Sequence, residues 1–118
     1  MRIDVRQGSA HKIDLKKGTK VGVTIFSQIG FAAPQDLDLT SLHFGRTGTE
    51  DSLIRRGNPG KFDTSVVDGD GRLDLIVYVD AGSTGLRAGD MQAVLTGNLL
   101  GGTPIYGSDF VETIKPGK

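Results

Sequence analysis

The chain has 118 residues, the length of one ordinary domain, and its 36% of hydrophobic residues can supply one core. Its 14 basic residues balance 14 acidic ones, and neither sign dominates a long block, which argues against a general affinity for nucleic acid or anionic membrane. The absence of cysteine excludes disulfides, thiolate zinc sites and cysteine nucleophiles.

The first ten residues, "MRIDVRQGSA", lack the apolar centre of a secretory leader, and the longest apolar run, 75–79, is far too short to cross a bilayer. Membrane insertion is therefore not expected, and the start fits either a cytoplasmic protein or an exported one whose leader has been removed. Glycines fall mostly between short segments rich in Val, Ile, Leu, Thr and Phe, as in an all-β protein.

In chain order, strands are expected at 2–6, 11–15, 20–27, 39–44, 62–67, 73–80, 91–96 and 109–114. In the third, Val21, Val23 and Ile25 alternate with Lys20, Gly22 and Thr24, the pattern of a half-buried strand. The sixth is apolar without a break at 75–79, which predicts a central strand covered on both faces or lying at an interface. Long connections are expected at 28–38 and 45–61, with 52–54 forming a short strand or a plug over the core. No internal repeat or linker interrupts the sequence, so residues 1–118 are read as a single domain. Its expected class is an immunoglobulin-like antiparallel β-sandwich of about seven or eight strands.

The segment "VVDGDGRLDLIVYVD" feeds an acidic turn into that sixth strand. Calcium takes six to eight oxygens, so a protein site needs carboxylates on alternate residues of a tight turn, with glycine permitting the bend. Asp68, Asp70 and Asp74 have this spacing, Gly71 follows the second, and the carbonyl of Arg72 can point inward. The competing reading is a plain hairpin, because Asp-Gly is a strong turn signal. Three carboxylates within seven residues repel one another, however, and Arg72 is the one nearby offset.

The stretches "GDGRLDL", "LTG" and "GTPIYGSDFV", in that order, resemble the carboxyl half of a domain family of exported and surface-attached bacterial and archaeal proteins. More loosely, "IDVRQGS", "KKGTKVGVTIFS" and "LTSLHFG" are similar to its amino half, so the resemblance spans nearly the whole chain. It implies an extracellular or cell-surface β-sandwich accessory module with a calcium loop, and it implies no activity. Relatives carry an aspartate where this chain has Val66, leaving Asp63, Asp80 or water to replace that ligand. The expected Ca²⁺ set is thus Asp68, Asp70, Arg72 and Asp74, with Asp63 as a substitute.

His11 and His43, the two histidines, sit in expected strands and read as surface or rim imidazoles. The sequence has no G-x-S-x-G elbow, H-E-x-x-H helix, phosphate loop or dinucleotide fingerprint, so no enzyme is expected. Glu50 and Glu112 could pair as in a glycosidase, but there is no Trp, and Tyr78 and Tyr106 are the only tyrosines. Arg55, Arg56 and Lys61 read as solvated loop charges. The first and last strands are candidate sheet edges. The expectation is a structural or adhesion module that associates with itself, as oligomers or filaments, or with other surface proteins; the alternative is an accessory module that binds polysaccharide or another ligand.

Overall fold

The computed structural model describes residues 2–6, 12–15, 18–28, 30–54, 62–65 and 71–114. The described chain is an all-β sandwich. Strands β1 (Ile3–Arg6), β3 (Lys20–Ile25), β5 (Phe62–Ser65) and β6 (Asp74–Asp80) form one antiparallel sheet in the order β1-β3-β6-β5, with β2 (Lys12–Asp14) lying elsewhere. The second sheet is β4-β7-β8, from β4 (Leu37–Gly45), β7 (Gln92–Leu99) and β8 (Pro104–Phe110). A last strand, β9 (Glu112–Ile114), pairs with β2, and this pair is parallel rather than antiparallel as expected.

The alternation expected in β3 is present: Val21, Val23 and Ile25 are fully buried and meet Val79, Val77 and Leu75 of β6 in register. Leu42 and Phe44 of β4 and Ala93 and Leu95 of β7 close the core from the other sheet. Each Val, Leu, Ile or Phe among these contributes roughly 1.5–3 kcal/mol by leaving water.

The expectation that β6 is covered on both faces needs correction within the chain. Leu75, Val77 and Val79 enter the core, whereas Ile76 and Tyr78 are half-buried on the outer face. There the Lys20 ammonium lies 4.7 Å from the centre of the Tyr78 ring, so a flexible cation screens what a second layer would have covered.

The segment 52–54 does act as a short extension of the sheet. Leu53 bridges Val79, Ile54 N donates to Tyr78 O at 2.9 Å and Asp80 N donates to Ser52 O at 2.9 Å, beside the part of β6 that β5 does not reach. Two elements were not expected. A single helical turn, α1 (Ala33–Asp36), carries Pro34 at its start within the first long connection, just after Ala33. Strand β8 begins on a proline and contains Gly107, which disguises it as loop sequence; a proline is tolerated at the first residue of an edge strand because it has no N–H to leave unpaired.

The terminal strands are less open than expected. β1 pairs with β3, and its Val5 N–H donates to Asp109 Oδ2 of β8 at 2.8 Å. β9 is paired along its length with β2.

Candidate functional site

The acidic turn is the connection of the β5–β6 hairpin, because Ser65 and Asp74 are the last pair before it. Asp68 and Asp70, together with Val66, lie outside the described residues. Asp74 is described and has no solvent exposure. Its Oδ1 accepts the Ser27 N–H at 2.8 Å, while the Ser27 hydroxyl donates to Leu73 O at 2.6 Å and accepts from Ala33 N at 2.8 Å. The root of the turn is thus joined to the end of β3 and to α1 through one serine and one carboxylate. A buried charge is tolerable only when hydrogen-bonded in this way.

Arg72 stands exposed in the turn. Asp63 pairs with Ile76, two rungs from the Ser65–Asp74 pair, which places its backbone about 7 Å along the strand from the turn. Asp80 cannot substitute for the missing acid. It lies at the opposite end of β6, six residues and roughly 20 Å from Asp74. Its carboxylate there accepts from Gly18 N at 2.9 Å, Gly82 N at 3.1 Å and Ser83 Oγ at 3.2 Å, capping the 3-10 turn Ala81–Ser83. Among the described residues, no cluster of three or more His, Asp or Glu side chains could hold a metal.

The other motifs also act on the fold. In "LTG", Leu95 is core, the Thr96 hydroxyl donates to Gly48 O, and Gly97 lies so close to Leu42 that a Cβ would come within 2.7 Å of its Cδ2. In "GSD", Asp109 provides the β8-to-β1 bond described above. These roles were invisible as patterns, since each joins residues far apart in sequence.

A second arrangement had no counterpart in the sequence reading. The outer face of the β4-β7-β8 sheet carries an open groove of ≈ 730 Å³. His43, Thr96 and Tyr106 form one row across the three strands, with Asn98 and Pro104 paired beside it. His43 Nδ1 lies 3.0 Å from Ser41 O; as a carbonyl can only accept, the neutral ring carries its proton on Nδ1 and presents Nε2 as an acceptor. This places His43 as the half-buried rim imidazole expected, whereas His11 lies outside the described residues, as do Arg55, Arg56 and Lys61. Of the two glutamates, Glu50 serves its own loop and Glu112 faces Lys12 at 4.0 Å. No helix of the described chain is long and apolar enough to cross a membrane.

Comparison with family models, with curated proteins and with solved structures finds no match to this chain.

Proposed function

We propose that the chain is a non-catalytic structural or adhesion module of an exported or surface-attached protein, stabilised by Ca²⁺ in the turn between β5 and β6. The observation that supports this most directly is the fully buried Asp74 carboxylate at the root of that turn, bound to Ser27 N–H. An acid committed to the junction of three elements makes the turn part of the fold, so a cation held by its neighbours would act on the stability of the whole sandwich. Asp68, Asp70, the Arg72 carbonyl and Asp74 would hold the ion, with Asp63 contributing less because of its distance from the turn. The ion would neutralise the clustered acids and fix the entry of the chain into β6.

The test is a thermal melt with calcium and with chelator. One Ca²⁺ bound only by the native state, at a hundredfold its dissociation constant, adds about 2.7 kcal/mol and raises the melting temperature on the order of 10 °C. Asp70→Ala should remove most of that shift and Asp63→Ala little of it. Asp74→Asn separates two duties, because an amide oxygen still accepts from Ser27 N–H while the charge available to calcium is lost. Equal melts, with no calcium found by elemental analysis of the chelated protein, would reject the proposal.

A further inference from the structure

The groove on the β4-β7-β8 face is distinguished by what it lacks. The protein has 28 charged side chains counted from 14 basic and 14 acidic residues, yet among the described residues no Lys, Arg, Asp or Glu lines this space. At its β8 end is Tyr106, which keeps 71% of its surface exposed on an edge strand. The contrast with the opposite face of the sandwich is informative, because the Tyr78 ring there is already covered by the Lys20 ammonium. The Tyr106 ring has no such partner among the described residues.

Around this ring the groove offers hydrogen-bonding groups of neutral character. Nε2 of His43 faces outward as an acceptor once Nδ1 is bound to Ser41 O. Asn98 uses its backbone N–H on Ser41 Oγ at 2.8 Å, and its side-chain amide makes no hydrogen bond to the described residues. Val94 and Pro104 supply apolar wall between these polar groups. The row from His43 to Tyr106 crosses two inter-strand spacings, or roughly 10 Å.

The space does not stop at the tyrosine. Tyr106 also borders a second hollow of ≈ 480 Å³ formed with Arg2, Gln28 and Ser108, so the surface continues over β8 toward the β1 edge of the other sheet. An open path with a bare ring at its middle suits a length of polymer rather than an enclosed small molecule.

We propose that this face binds a neutral polysaccharide, laid across β8 with one sugar ring stacked on Tyr106 and its hydroxyls met by Asn98 and His43. A pyranose ring has an apolar C–H face and a rim of hydroxyls, which matches a flat aromatic surrounded by uncharged donors and acceptors. The described lining of the groove itself carries no cation, so a uronic acid polymer or a nucleic acid would lose hydration of its charges there and meet a cation only at Arg2 in the second hollow, where the guanidinium lies over the Phe26 ring. A peptide adding to the sheet would use the backbone of a strand edge instead of this face. The inference is independent of calcium, since the groove lies on the sheet that does not contain β5 and β6.

The experiment is affinity electrophoresis of the full chain in native gels containing starch, mannan, laminarin or hydroxyethylcellulose, with alginate as the acidic comparison. Retardation is expected in at least one neutral gel and not in alginate. Tyr106→Ala should weaken that binding at least about tenfold, as expected for a central aromatic contact. Asn98→Ala should weaken it several-fold, and Tyr78→Ala on the opposite sheet should leave it unchanged. Circular dichroism establishes that the variants are folded. Retardation only in alginate, no retardation in any neutral gel, or wild-type binding by folded Tyr106→Ala would each overturn the proposal.

Discussion

Glu50 shows how much a single side chain can organise within a connection that reads as loop. Its carboxylate accepts Thr47 N–H at 3.1 Å, Gly48 N–H at 2.9 Å, Thr49 N–H at 3.1 Å and the Thr47 hydroxyl at 2.8 Å, so three successive amides converge on one anion. Partial burial raises its pKa, but the bonds from the Thr47 hydroxyl and the backbone amides outweigh that effect and hold it below the ordinary 4.5. A depressed carboxylate pKa contributes stability that is present above the unfolded value and is lost as pH falls through the folded value. Glu50→Gln should therefore lower the melting temperature at neutral pH and flatten its decline between about pH 5 and pH 3, as read from melts across that window. An unchanged acid profile would assign the loop's order to other contacts. Nothing in "GRTGTED" signals this carboxylate, because its partners become partners only when the backbone turns back on itself.

At the scale of elements, regular alternation was the most legible signal. Val21, Val23 and Ile25 identified β3 and its buried face directly, since a strand with one dry side must alternate. The unbroken run in β6 misled about its second face, because apolar residues at 76 and 78 can be shielded by a long cationic side chain without another layer. Strand β8 was missed for the opposite reason: its glycine and proline are tolerated at a sheet edge, where one side needs no neighbour. The same strand reaches β1 through Asp109, and Asp109→Ala would leave a partly buried amide without that acceptor. Loss of a hydrogen bond to a charged group predicts a decrease of about 1–3 kcal/mol in unfolding free energy, measurable by urea denaturation with an unchanged slope. An undisturbed midpoint would show that water replaces the carboxylate at no cost.

At the scale of the whole molecule, composition and turn spacing indicated a β-sandwich, but not which strands share a sheet. Topology depends on pairings such as Ile3 with Ile25 and Lys12 with Glu112, whose separation along the chain leaves no local trace. The hairpin between β5 and β6 was legible from its Asp-Gly turn signal, whereas the groove was not, being assembled from isolated residues of three strands. Assembly by strand addition, which we propose as one use of the module, has a definite gate at β1: a second copy must compete with Asp109 for the Val5 N–H. Asp109→Ala should then increase the particle mass seen by light scattering at high concentration relative to the unmodified chain. Monomer mass for both proteins would reject edge-strand assembly.

The parallel pairing of β2 and β9 determines how that pair would carry tension. Because the two strands run the same way, the chain enters β2 at one end of the pair and leaves β9 at the other. A pull on the segments flanking them acts along the strand axes in opposite directions, so Lys12–Glu112, Ile13–Thr113 and Asp14–Ile114 are loaded together and slide as a unit. An antiparallel pair pulled from adjacent ends would open one rung at a time, like a zip.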